Sequence, residues 1–193
     1  MKNLVICMLM ASLGTTSSAG MCLAEYVAEF NAADVEYYTN SIPNADAGAF
    51  LEQNVPKLDC PDSVIERAYC FRWWTFRKHL RKTQSDGWIV TEFLPSVPWA
   101  GAENTIVCPF GHHVREGRWL RDSSIIRDYF LFMMKKGNVV GARSYVSWPA
   151  YCYLERRKVV GPEADGGLLL AQFVKRYEAW EKGWNFRGFP MRF

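Results

Sequence analysis

The sequence predicts a mainly α-helical fold of paired helices, with one long irregular loop and a short extended segment. Three observations carry that prediction. Apolar residues recur at helical spacing after Ser63 and again after Asp122. Both stretches open on a side chain suited to capping, and the second closes on Lys135-Lys136-Gly137, as a helix dipole and a left-handed cap favour. From Pro95 to about Arg121 neither a helical nor a strand period holds. Helical pairs that are apolar on more than one side suggest a toroid or solenoid, although no sequence repeat supports it.

The elements follow in order. Lys2, the apolar run Leu4 to Leu13 and the small residues Ser17-Ser18-Ala19 read as a secretory signal peptide over residues 1–19. The run is too short to span a bilayer as a stable helix. Lipid anchoring at Cys22 is disfavoured because Met21 is unsuited to precede a lipidated cysteine. Residues 20–193 form the remaining domain, and no transmembrane segment is expected in it.

Residues 23–38 predict a first helix, and Asn40 to Asp62 a proline-rich loop with a short helix near 46–53. Ser63-Val64-Ile65-Glu66 reads as a capping box in which Glu66 reaches back to the cap. Ile65, Tyr69, Trp73, Phe76 and Leu80 then form a buried stripe, widened by Val64, Ala68 and Phe71, on a helix ending near Thr83. Ser85-Asp86-Gly87 marks a turn, and Trp88 to Leu94 a short strand.

The irregular stretch 95–121 mixes Pro-Trp-Ala-Gly, a histidine pair and charges, the composition of an ordered functional loop. Asp122 and Ser123 can cap a helix whose apolar face is Ile125, Ile126, Tyr129, Phe130, Phe132 and Met133. Further helices are predicted from near Ser147 to Arg157 and from about Pro162 or Asp165 to Lys182, before an aperiodic aromatic and basic tail.

Composition narrows the function. Of the 193 residues, 49% are hydrophobic and 22% charged, which excludes a disordered chain. Aromatic residues make up 15%, including 8 Trp, and suit either a large core or a surface that stacks on the C–H faces of sugars. A net charge of +3 is too balanced for phosphate-driven nucleic-acid binding. The one basic run, Arg77 to Lys82, reads as a solvated helix face. Cys70 and Cys152 read as small buried hydrophobes, and pairing of Cys60 with Cys70 or Cys108 stays open.

The densest polar block runs from Cys108 to Asp122 and holds His112, His113, Arg115, Glu116, Arg118, Trp119 and Arg121. Such a group can bind sugar hydroxyls through arginine and carboxylate hydrogen bonds, or can form an ion-pair network that anchors the loop. Cys108, His112, His113 and Glu116 are also conceivable zinc ligands, but their order does not match a helical His-Glu-x-x-His site. No metal or other cofactor is expected. No Gly-x-Ser-x-Gly elbow supports a serine nucleophile. Hydrolysis by paired carboxylates would draw on Glu92, Glu116 and Asp122.

Phe71-Arg72-Trp73-Trp74-Thr75-Phe76-Arg77-Lys78-His79, Thr91-Glu92-Phe93-Leu94-Pro95, Pro98-Trp99-Ala100-Gly101, Gly111-His112-His113 and Glu116-Gly117-Arg118-Trp119-Leu120-Arg121-Asp122 resemble the opening of bacterial six-hairpin glycosidases. That group includes mannosylglycerate hydrolase, trehalase and the processing α-glucosidases. The resemblance spans roughly residues 35–182 and is most specific over 69–122. It implies a partial (α/α)6 toroid, a carbohydrate substrate and inverting hydrolysis by a carboxylic acid and a carboxylate base. It also implies that the segment Glu116 to Asp122 contacts substrate through Arg118, Trp119 and Asp122, with Trp99 and Glu92 lining the pocket. The family's acid and base motifs lie further along and are absent here, so the resemblance implies an incomplete, inactive N-terminal portion that needs the rest of a catalytic domain. The tail from Gly183 departs from the family pattern, as in a truncated or frame-disrupted gene. Two other readings remain open: a non-catalytic sugar-binding protein, and a structural helical protein whose aromatics are all core.

Overall fold

A computed structural model describes residues 23–38, 40–100 and 102–136, together with helical positions Ala171, Val174 and Glu178. The signal peptide, Cys22, Cys152 and the helix predicted from Ser147 lie outside the described residues. The last predicted helix is described only at those three positions. The architecture is mainly α. Helices α1 (Leu23–Ala33), α2 (Asn44–Asn54) and α3 (Ser63–Lys78) pack on one another. A hairpin of β1 (Leu80–Thr83) and β2 (Gly87–Val90) follows, then α4 (Phe110–Gly117) and α5 (Ser123–Lys135), which pack together while α5 also covers β2. Among the described residues no helix is long and apolar enough to cross a membrane.

α1 buries Tyr26, Val27 and Phe30 against α3, where Phe30 meets Phe71 edge-on and Trp74 at a tilt. α2 begins at Pro43, which offers no side-chain cap; the Glu36 carboxylate instead accepts from the Asn44 N–H at 2.6 Å. An anion at that end is favoured because the first N–H groups of a helix lack backbone partners.

α3 differs from its prediction at both ends. Its cap is Asp62, whose carboxylate accepts from the N–H groups of Val64 and Ile65 at 2.9 and 3.3 Å. Glu66 does not reach back; it accepts from the Tyr26 hydroxyl at 3.1 Å and ties α3 to α1. Val64, Ile65 and Phe71 are exposed, so the buried face is Cys70, Trp73, Trp74 and Phe76. The helix stops at Lys78, because Leu80 pairs with Val90 and leads an antiparallel hairpin.

The hairpin turn needs Gly87 at φ 72, a left-handed backbone beside the Asp128 side chain that a Cβ would strike. The basic run is not a solvated face. Arg77 is fully buried and donates to the Ile42 and Trp74 carbonyls and to Asn44 Oδ1, at 2.7, 3.2 and 2.8 Å. Burial lowers it to about 10, so it stays charged at neutral pH. Lys78 is also buried, and pairs with Asp34. A buried cation persists only with partners, and this one joins α3 to the segment entering α2.

The stretch 95–121 contains a 3-10 turn at Ala102–Asn104 and α4. α5 matches its prediction at its start and along its apolar face, while the expected cap at Gly137 lies outside the described residues. Asp122 caps it, accepting from the N–H of Ser124 at 2.9 Å, and all six expected apolar residues are buried. The described cysteines Cys60, Cys70 and Cys108 are free thiols, with Cys70 buried as expected, so neither pairing left open by the sequence forms.

Candidate functional site

The residues between β2 and α5 bring polar groups to one place. Their backbone is pinned first. The Thr91 N–H donates to the His79 carbonyl at 2.9 Å, and the His79 ring Nδ1 lies 2.9 Å from the Thr91 carbonyl. A carbonyl only accepts, so Nδ1 of His79 carries a proton. One residue on, the Glu92 N–H donates to the Asn104 carbonyl at 3.1 Å.

Asn104 is buried at φ 61, a left-handed conformation that asparagine tolerates. Its amide donates to the Phe93 and Pro95 carbonyls at 2.5 and 3.1 Å, and its Oδ1 accepts from Val97 N–H at 3.3 Å. Asn104 thereby ties residues 92–97 together, a role the sequence did not single out. Trp99 stands at the loop's tip, 67% exposed and edge-on to Phe93 at 4.9 Å.

α4 supplies the second wall. Phe110 and Val114 anchor it in the core, which leaves His113 and Glu116 half-buried beside α3 and α5. His113 Nδ1 lies 3.1 Å from the Tyr129 hydroxyl, and Nε2 lies 3.7 Å from the Glu92 carboxylate. Burial first, then the positive fields of His79, Arg72 and His112, pushes His113 down to about 3. His113 is therefore neutral at physiological pH, and its approach to Glu92 is not an ion pair. Burial raises the Glu92 carboxyl and likewise holds the Tyr129 phenol protonated. Glu116 pairs with Arg72; burial raises its carboxyl, and the Arg72 charge opposes that. The two carboxylates thus differ in kind: Glu116 has a cation beside it, whereas the ring facing Glu92 is uncharged.

Of the expected site residues, Glu92 and Glu116 join this cluster through His113 and Arg72. Arg118 lies over the Trp119 ring at 4.9 Å, and Trp119 is 45% exposed just past α4. Asp122 is engaged at the start of α5, and its N–H and that of Arg121 donate to Asn54 at the end of α2. Arg72, His79 and Tyr129 were not singled out as site residues by the sequence. Arg72 and His79 stand in the segment that carries the family resemblance, and Tyr129 reads there as an apolar position.

Two clefts lie elsewhere. One, of about 280 Å³, runs between α2 and α3 past Leu51, Val55, Tyr69 and Trp73. The other, of about 320 Å³, lies between the hairpin turn and α5. None of the six expected residues lines either. Among the described residues no group of histidine, cysteine and carboxylate side chains is arranged to hold a metal.

No family model matches the chain, and no curated protein matches it. Among solved structures, a chain described as a sialidase is similar at 31% identity with a TM-score of 0.70. The match covers 86% of this chain and 16% of that one, so the chain spans about a sixth of the sialidase's length.

Proposed function

We propose that the chain is a carbohydrate-contacting portion of a glycoside hydrolase of the six-hairpin type, and that its helices belong to an (α/α)6 toroid. The likeness to a sialidase at 31% identity over 86% of the chain is the observation that supports a glycosidase; the six-hairpin type rests on the sequence motifs around Arg72, Glu92 and Arg118. The site chemistry supports it. Exposed Trp99 and Trp119 offer flat apolar faces, and Arg118, Glu116 and Glu92 offer donors and acceptors. Asp122 completes the proposed contacts through whatever acceptor capacity its capping role leaves. The leader reading places the protein outside the cytoplasm after cleavage near Ala19.

The same reading holds that this polypeptide binds sugar without hydrolysing it. Inverting hydrolysis requires an acid and an opposed base about 6.5–9.5 Å apart. Here Glu116 is paired to Arg72 and Asp122 caps α5, which favours binding over chemistry. Binding without preferential stabilisation of a transition state gives no rate.

The test is titration of the full chain with oligosaccharides alongside an assay on aryl glycosides. Sugar binding lost in Arg118→Ala and Trp119→Ala, with no hydrolysis, is the expected result. Binding unchanged in both variants would leave the aromatic residues a structural role. Turnover that disappears in Glu92→Gln would show that the chain is itself an enzyme.

A further inference from the structure

We propose that His113, oriented by the buried Tyr129 hydroxyl, is a positioning residue that turns the Glu92 carboxyl toward a carbohydrate hydroxyl. The inference rests on the reading of Glu92 as a sugar contact and adds how that contact is set.

The argument begins at the phenol. Tyr129 is fully buried, so its O–H requires an acceptor, and the ring nitrogen Nδ1 of His113 lies 3.1 Å away. A ring nitrogen that accepts carries no proton, and in a neutral imidazole the proton then sits on Nε2. Nε2 is the atom that faces Glu92, at 3.7 Å. That separation is longer than a direct hydrogen bond and fits a rotation of the carboxylate or a bridging water.

The Glu92 backbone has no freedom to make the adjustment, since His79 holds Thr91 and Asn104 holds the Glu92 N–H. Orientation of this side chain therefore falls to the donor opposite it. One carboxylate oxygen faces Nε2–H, which leaves the other for a ligand. The groups facing the pair are Arg72 and His79 from α3 and its cap, His112 from α4, and Tyr129 from α5, with Glu116 reaching it only through its pairing with Arg72. Because His113 stays neutral, Glu92 is not neutralised by an ion pair and keeps its capacity to accept from a hydroxyl.

The test uses the full chain and two kinds of readout. Nitrogen NMR of the three histidine rings should show His113 with its proton on Nε2, and Tyr129→Phe, which keeps the ring and removes the hydroxyl, should lose that bias. The Glu92 carboxyl should titrate higher in His113→Phe and return toward wild type in His113→Gln, whose amide can donate. With sialyllactose and maltose as probes, His113→Phe should weaken binding roughly three- to tenfold, the loss of about one hydrogen bond. A wild-type His113 protonated on Nδ1, or a Glu92 titration unmoved in folded His113→Phe, would overturn the inference. So would sugar binding that is lost in Glu92→Gln and untouched in His113→Phe. Wild-type protein that binds neither probe would instead overturn the carbohydrate reading, and the tautomer and the titration would still decide the positioning role.

Discussion

His113 binds its proton far less readily in the folded chain than in water, and the sign of the consequence follows from linkage. Folding lowers it from about 6.5 to about 3. Between those values the unfolded chain holds a proton that the folded one does not, so stability falls as pH drops through this window. Glu92 and Glu116 act in the opposite sense: their raised carboxyls take up protons earlier in the folded state and offset part of the loss. Asp34, held low first by its hydrogen bond from Lys78, contributes stability that is lost only below its unfolded value of 3.8. Replacing His113 by Gln should therefore remove about 2 kcal/mol of the wild-type loss between pH 6.5 and pH 5. Urea melts at the two pH values measure it, and parallel losses in wild type and variant would refute it. A second residue-scale expectation concerns the α3 cap. Asp62→Ala should cost about 1 kcal/mol and Ser63→Ala much less, because the carboxylate of Asp62 satisfies the first N–H groups. Equal costs in thermal melts would restore Ser63 as the cap.

The elements show where pattern alone suffices. α5 was legible because capping residue, apolar face and basic end all agree, and tertiary packing uses that face unaltered. The end of α3 was not, because Leu80 continues the helical stripe four residues after Phe76. Its pairing with Val90 is a contact that no local period encodes. α4 was hidden for a different reason. It has only eight residues, bounded by Pro109 and Gly117, and its polar side chains resemble a loop. Its signal was present in Phe110, Val114 and Gly117, three and four residues apart on one face. Gly117 is there for closeness, since a Cβ would overlap Ile126 and come within 3.1 Å of Phe76. Gly117→Ala should therefore destabilise by about 1–3 kcal/mol despite the better helix propensity of alanine. A stabilised variant in denaturant melts would mean that α4 can shift away from α5.

At the scale of the molecule, the candidate site was half legible. Glu92 and Glu116, the expected residues that join the cluster, could be picked out because their charges beside aromatic residues are visible locally. Arg72, His79 and Tyr129 could not, since they reach the cluster from α3 and α5 only once the hairpin has folded between them. That hairpin also links the two helical groups. β1 continues directly from α3, β2 lies on α5, and the buried residues of every described helix join one core. Leu80 and Ile89, both fully buried, sit at this junction. If the junction couples the two groups, the described region unfolds as a single unit, as small domains commonly do. Ile89→Ala should then cost about 2–4 kcal/mol, because the cavity it leaves lies between rigid neighbours that relax only in part. The loss should appear equally in the amides of α1, α3 and α5 by hydrogen exchange, with one shared opening energy. Protection that collapses in α5 while α1 and α3 keep their wild-type values would show two units that open separately. In that event the Glu92–His113 contact, which joins the end of β2 to α4, would open with α5.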